Sequence, residues 1–126
     1  MKIASVILCD DIRVEDTRKH LLIGVYLRNI IVEQFDAALV FRLWVQFYPD
    51  KEGDLSLQVR IKGPAIDISP LFRGVINIDK KDELATLRLP QMPIIIMREG
   101  ELEFQIREMG KRWKTAKKIS VIKGSL

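Results

Sequence analysis

Alternation of hydrophobic and polar residues is the main pattern along this chain. In residues 54–62 the odd-numbered positions from Leu55 to Ile61 are apolar and the even-numbered positions are polar. Successive side chains of a β-strand point to opposite faces, so this pattern predicts a strand with one buried and one solvent-facing side. Residues 101–107 show the same period and predict a second strand of this kind.

The longest alternating segment covers residues 38–48. Its odd positions form an apolar row from Leu39 to Phe47, and the other face carries polar and aromatic side chains. We predict that this segment is the central strand, and that its odd face forms the core together with the apolar positions of residues 55–61 and 102–106. Each buried side chain of this size contributes about 1.5–3 kcal/mol before the loss of conformational entropy is subtracted.

Weaker strand patterns occur elsewhere in the chain, and they cover residues 20–32, 72–78, 84–89 and 113–122. The first is interrupted near Arg28, which predicts either one bent strand or two short strands. The last is expected to pair with residues 101–107 through a turn at residues 109–111. Its alternation slips at Lys117, which indicates a β-bulge or an edge position.

The number and spacing of these segments predict an all-β protein. No stretch of ten or more residues has the 3.6-residue apolar period of a helix, and proline and glycine are concentrated between the strand patterns. Seven or eight short strands favour an antiparallel β-sandwich of immunoglobulin-like or related topology, with a small β-barrel as the alternative. A chain of 126 residues is expected to form one domain over residues 1–126.

The composition is that of a globular protein, with 48% hydrophobic and 30% charged residues. No apolar run approaches the roughly 18 residues that a membrane span requires. The single cysteine, Cys9, excludes an internal disulfide and any paired-cysteine metal motif, and it favours a reducing compartment. The sequence therefore predicts a cytoplasmic protein without a membrane span.

The net charge of +4 has its source in the C-terminal segment, where Lys and Arg residues outnumber the single acidic Glu108. A tryptophan among cations can stack on an exposed base while lysines contact phosphates, which predicts a surface for nucleic acid or another polyanion. The favoured alternative is a strand edge that lysines keep soluble. The candidate residues are Lys111, Arg112, Trp113, Lys114, Lys117 and Lys118.

A second candidate surface is the outward face of the central strand. We expect the following strand to lie beside it as a hairpin partner through a turn at residues 49–53. Exposed aromatics and arginines are frequent in protein interfaces. The alternative is that another segment covers the aromatics, or that they form cross-strand pairs within the sheet. This candidate interaction surface consists of Arg42, Trp44, Gln46, Tyr48 and Arg60.

The N-terminal apolar run that ends at Cys9 predicts the first strand, and acidic residues cluster directly after it. Asp10, Asp11 and Asp16 are candidate ligands for a hard cation such as calcium, which prefers several carboxylate oxygens. The favoured alternative is structural, because aspartates that follow a strand accept backbone N–H groups and Arg13 could bridge the same carboxylates. In that case the cluster fixes the chain as it crosses between sheets.

Catalytic chemistry has few candidate residues. A nucleophile of the serine or cysteine type needs an adjacent base, and the only histidine is His20. Cys9, at the end of the first predicted strand, is expected to be a small buried hydrophobic residue. The sequence contains no phosphate-binding glycine loop and no zinc-ligand motif. We therefore predict a protein that is not an enzyme and uses no cofactor.

The N-terminal third resembles a family of short uncharacterised bacterial proteins. The similarity lies in the stretch CDD-x-R, which is Cys9 to Arg13, and in the following K-x-x-x-x-G-x-Y, which runs from Lys19 to Tyr26. The chain differs from the family pattern at Thr17-Arg18, where a glycine-rich turn is expected. The resemblance implies a sandwich-like fold and a bacterial or phage source, and it implies no catalytic residues.

These observations favour a non-enzymatic interaction module. The first hypothesis is recognition of a protein, with self-association through a strand edge or the central-strand face as one form of it. The second is binding of nucleic acid or another polyanion through the basic C-terminal hairpin. The third is a calcium-dependent β-sandwich that uses the acidic N-terminal loop.

Overall fold

The computed structural model describes residues 1–66 and 70–124 of the chain. Within these residues eleven strands form and there is no helix. The strands are β1 (Lys2–Cys9), β2 (Asp11–Val14), β3 (His20–Ile23), β4 (Asn29–Val32), β5 (Ala37–Tyr48), β6 (Gly53–Lys62), β7 (Leu71–Ile78), β8 (Ala85–Arg88), β9 (Met92–Ile96), β10 (Gly100–Glu108) and β11 (Lys114–Lys123). The predicted all-β class is confirmed.

Two sheets enclose the hydrophobic core. In the front sheet β5 lies between β1 and the successive strands β8 and β9, which pair with its C-terminal and N-terminal halves. The back sheet has the strand order β4-β11-β10-β6-β7. All pairs are antiparallel except β4 with β11, which is parallel. The architecture is a small β-sandwich, as predicted.

The core is made of the faces that alternation predicted. Phe41, Leu43, Val45 and Phe47 of β5 are fully buried. The apolar positions of β6 and β10 are buried opposite them. Leu39 differs, because it lies at the periphery of the core and is only partly buried. The odd face of β5 therefore anchors the core from Phe41 onward.

The connection after β5 does not form the predicted hairpin. β5 and β6 are consecutive in the chain, yet β5 pairs with β1, β8 and β9 whereas β6 pairs with β10 and β7. The segment from Pro49 to Glu52 therefore crosses from the front sheet to the back sheet. Each of the two strands buries one apolar face. That burial is achieved as well by packing in opposite sheets of a sandwich as by pairing in a hairpin.

Residues 20–32 form two short strands, which was one of the two predicted alternatives. β3 pairs with β2 in a separate two-stranded sheet, which we call the hairpin, and β4 joins the edge of the back sheet beside β11. Gly24, with a φ of 67°, lies between these two strands. The chain therefore leaves the hairpin near this glycine and enters the other sheet.

The predicted pairing at the C-terminal end is confirmed. β10 and β11 are antiparallel neighbours, and the N–H of Lys111 donates to the carbonyl of Glu108 at 3.0 Å in the turn between them. The register shifts between the pairs Phe104–Lys117 and Gln105–Thr115. This irregularity confirms the bulge that the slipped alternation at Lys117 indicated.

Candidate functional site

The hairpin β2–β3 covers part of the outer face of the front sheet. Arg42 of β5 donates from Nη1 to the carbonyl of Ile12 at 2.9 Å and from Nε to the carbonyl of Leu89 at 3.0 Å. Trp44 donates from Nε1 to Nδ1 of His20 at 2.8 Å, and the two rings meet edge to face. Two outward side chains of β5 are thus used to hold the hairpin in place.

A second group of contacts fixes the ends of the hairpin. The N–H of Asp10 donates to the carbonyls of Ile23 and Gly24 at 2.9 and 3.2 Å, and Tyr26 donates its hydroxyl to Oδ1 of Asp10 at 3.0 Å. Burial, and then the hydrogen bond to Asp10, raise the pKa of Tyr26 to about 12. A methyl group on Gly24 would lie 2.1 Å from Oδ2 of Asp10, and the φ of 67° disfavours any residue with a Cβ, so a substitution here must strain the backbone and displace the carboxylate.

The acidic cluster acts structurally at Asp10 and Asp11. Oδ1 of Asp11 accepts from the N–H of Ile12 at 2.9 Å, and this bond, followed by the bonds from Arg13 and Arg42, holds the pKa of Asp11 below its ordinary value. Among residues 1–66 and 70–124, no three His, Cys, Asp or Glu side chains come close enough together to hold a metal ion. Asp16, the third candidate ligand, lies in the exposed turn between β2 and β3.

The predicted interaction surface on β5 is not assembled in the structure. Arg60 lies on the back sheet, because β6 does not pair with β5. Arg42 and Trp44 are partly covered by the hairpin, which is the alternative that the sequence left open. Gln46 contacts Thr86 of β8 at 3.4 Å, and Tyr48 alone of the predicted set on β5 remains exposed. The prediction of one continuous Arg42–Arg60 surface is wrong.

Trp113 lies against the outer face of the back sheet, just before β11. The guanidinium carbons of Arg60 and Arg107 lie 4.1 and 4.4 Å from its ring centroid. The two arginines are held in turn by glutamine side chains of the neighbouring strand, at 2.6 Å from Gln105 and 2.7 Å from Gln58. The half-buried indole thus already has cationic partners within the chain.

The basic residues around Trp113 are dispersed rather than gathered on one face. Lys111 contacts Glu108 at 3.0 Å, and Lys118 lies 4.0 Å from Glu101. Lys114 donates to the carbonyl of Met1 at 2.7 Å. Arg112 is exposed and Lys117 is partly buried at the bulge. Several of the cations are therefore paired locally, and the predicted polyanion surface gains no additional support from the geometry.

The two candidate catalytic residues are engaged in the fold. The Nδ1 atom of His20 accepts the hydrogen bond from Trp44, and the buried thiol of Cys9 lies 3.6 Å from the carbonyl of Arg42. Burial raises the pKa of the Cys9 thiol. A protonated, buried thiol is a poor nucleophile because the thiolate is the reactive species.

The sequence prediction missed an apolar groove at the other end of the front sheet. Beyond the hairpin, the outer face carries Val40 of β5 beside Pro93 of β9, and Ala38 beside Ile95. Val40 is 47% and Ile95 57% exposed. The groove over these side chains has a volume of about 620 Å³, and Asp36 and Pro70 also line it.

A local signal for this groove is present in the sequence. Residues 37–41 and 92–96 are apolar at both even and odd positions, unlike the remaining alternating strands. In a strand that buries only one face in the core, such a pattern predicts that the other face is apolar as well and is either covered by another segment or exposed. Here no other strand among residues 1–66 and 70–124 covers that second face.

No family model matches the chain, and the search of curated proteins found no match to it. The resemblance of the N-terminal motifs to a bacterial family therefore stays an expectation. The part of the chain that the structure describes, residues 1–66 and 70–124, has no helix that could span a membrane.

Proposed function

We propose that this protein is a non-enzymatic binding module that recognises an extended, apolar segment of a protein partner in the groove of the front sheet. The observation that carries the proposal is an apolar groove of about 620 Å³ on the outer face of the front sheet. This volume lies within the range of about 300–1,000 Å³ that is usual for ligand sites.

The shape of the groove favours an extended peptide. Its floor is formed by side chains that alternate along two paired strands, Ala38 and Val40 on β5 with Pro93 and Ile95 on β9. Alternate side chains of an extended peptide have the same spacing and can pack between them. Isolated exposed apolar residues are common on protein surfaces, whereas a contiguous patch of this kind is typical of interaction sites.

Asp36 adds a negative charge to the apolar groove. It is the one ionisable residue among the described residues that line the groove, and no ion pair with another described residue engages it. A carboxylate at the end of an apolar surface attracts a cation and discriminates against an anion. We therefore expect the partner segment to carry a lysine or arginine next to its apolar residues.

Selection from a phage-displayed library of random peptides tests this proposal on the full chain. We expect enriched peptides to combine alternate apolar residues with one basic residue. Their affinity, measured by fluorescence anisotropy, should fall at least tenfold for Ile95→Lys. The matched control is Leu27→Lys, which places the same charge at another exposed apolar position, 85% exposed and outside the groove.

A second variant tests the role of the carboxylate. Asp36→Asn should weaken a peptide that contains the basic residue and should have little effect on the same peptide with alanine there. The absence of any enriched peptide would contradict the proposal, as would peptides that bind Ile95→Lys as tightly as the original chain. Saturable binding of dodecanoate in the groove without peptide binding would overturn it in favour of a lipid site.

A further inference from the structure

β7 forms one edge of the back sheet, and none of its residues lines the groove. It pairs with β6 along its whole length, from Gly53–Ile78 to Arg60–Leu71, without a register shift. In the described part of the chain no other strand pairs with it. An edge strand of this length presents a row of backbone donors and acceptors that another strand can use.

Two hydrogen bonds show which backbone groups of β7 are free. The N–H of Ile61 donates to the carbonyl of Pro70, so the even-numbered residues of β7 bond to the odd-numbered residues of β6. The bond from the N–H of Met109 to the carbonyl of Ser56 confirms the phase, because even-numbered residues of β6 then bond to β10. Since bonding direction alternates along an antiparallel strand, the N–H and C=O groups of Leu71, Arg73, Val75 and Asn77 point outward.

This edge lacks the features with which other proteins prevent strand addition. Between Leu71 and Ile78 there is one charged residue, Arg73, and there is neither a proline nor a bulge. Val75 is 67% and Leu71 48% exposed. By contrast, the stretch of β11 that β4 does not reach carries three lysines, and lysine on an edge opposes pairing.

An antiparallel register of β7 with its own copy places no like charges opposite each other. With Val75 on a two-fold axis, the free backbone groups of Val75 meet those of its copy, and Arg73 lies opposite Asn77. Asn77 donates to Oδ1 of Asp54 at 3.0 Å, so an acidic group lies behind Asn77, two strands away from the backbone of the incoming arginine. Asp79 lies one diagonal step further, within reach of a long side chain. A register with Arg73 on the axis would instead place two arginines opposite each other.

We propose that two copies of this chain dimerise by antiparallel pairing of β7 with β7 about a two-fold axis at Val75. The dimer joins the two back sheets into one continuous sheet. The interface is isologous, so each copy provides the same surface. This inference does not depend on the proposed groove function, because Val75 and Asn77 do not line the groove.

Light scattering after size exclusion tests the assembly with the full chain of 14.6 kDa. We expect a particle of twice this mass that dissociates on dilution. Val75→Pro removes only an outward N–H group, which an edge strand tolerates, and should raise the dissociation constant at least tenfold. The control is Leu27→Lys, at an exposed position outside β7, which should leave the dissociation constant unchanged.

Cysteine cross-linking tests the register. Paired residues on the axis are about 5.5 Å apart between Cα atoms, within the range of about 4.4–6.8 Å for disulfides. Val75→Cys should therefore form a covalent dimer on mild oxidation. In this register the two copies of residue 71 are about 26 Å apart at about 3.3 Å per residue, so Leu71→Cys should not. The native Cys9 is buried and does not compete.

Three results would overturn the proposal: a chain that stays monomeric at hundreds of micromolar, a dimer that persists unchanged in Val75→Pro, and equal cross-linking of Val75→Cys and Leu71→Cys. A monomer that instead binds a foreign extended peptide along β7 would also overturn it, in favour of a heterologous partner. Loss of peptide binding in the groove would leave the dimer unaffected, so the two proposals fail separately.

Discussion

Substitution of Gly24 by alanine should detach one end of the hairpin and destabilise the protein. Gly24 has a φ of 67°, and the added methyl carbon would lie 2.1 Å from Oδ2 and 2.7 Å from Cγ of Asp10. Contacts this short cannot persist, so the carboxylate must move away. When it moves, it loses the hydrogen bond that it accepts from Tyr26.

The expected cost has two parts. A left-handed backbone at a residue with a Cβ costs about 1 kcal/mol relative to glycine. A hydrogen bond to a charged group contributes about 1.5–3 kcal/mol, and we take the lower half because Asp10 is exposed. The sum is about 3 kcal/mol, a large fraction of the 5–15 kcal/mol that is typical of a whole domain.

Urea unfolding followed by tryptophan fluorescence measures this loss. The control is Gly110→Ala, at a φ of 81° with no atom within 4 Å of the added carbon, which should lose only the backbone part of about 1 kcal/mol. In a double-mutant cycle, Gly24→Ala should cost about 1 kcal/mol once Asp10→Ala has removed the obstructing carboxylate. Equal costs for Gly24→Ala in both backgrounds, or for Gly24→Ala and Gly110→Ala, would refute this account of the crossing.

Three further predictions follow from the described contacts. Gly74→Ala in β7 should raise the free energy of unfolding in urea by about 0.5–1 kcal/mol, since no atom lies within 4 Å of the added carbon and glycine loses more entropy in a strand; a loss of stability would contradict this. Trp113→Ala should lower the melting temperature through lost contacts with Arg60 and Arg107, at a cost of about 1–2 kcal/mol, whereas Trp113→Phe should retain part of the cation–π contact. The pKa of Tyr26 is about 12 in the folded protein against an ordinary 10.0, so the unfolded chain loses this proton at a lower pH than the folded chain does. The free energy of unfolding should therefore fall as the pH rises from 10 to 12. Tyr26→Phe should reduce this fall, and an unchanged fall would exclude Tyr26 as its source.

The sequence predicts those features of the fold that are local. The alternation in β5, β6 and β10 depends on each strand burying one face, and this holds whichever strands become neighbours. The turn before β11 and its bulge are likewise encoded within a few residues of Gly110 and Lys117. The positive φ of Arg18, 66°, occurs in the turn where the sequence departs from the expected glycine-rich pattern.

Strand partners and coverage could not be predicted in this way. Pro49 to Glu52 has the composition of a hairpin turn and yet crosses between sheets, because pairing depends on strands distant in sequence. The partial burial of Trp44 depends on its contact with His20, which belongs to a different sheet. Prediction of the groove would have required knowing that β9 pairs with the first half of β5, so that the apolar outer residues of both strands lie on the same side.

The arrangement of strands around β5 has a consequence for how this chain folds. β5 pairs with β1 at the start of the chain and with β8 and β9, which lie beyond residue 84. β4 pairs with β11, the last strand described. Strands that are distant in sequence must come together before most backbone pairs can form. The chain therefore loses conformational entropy before the strand contacts compensate for that loss. We therefore expect slow refolding for a domain of this length, with a transition state that already brings β1, β5 and β8 together.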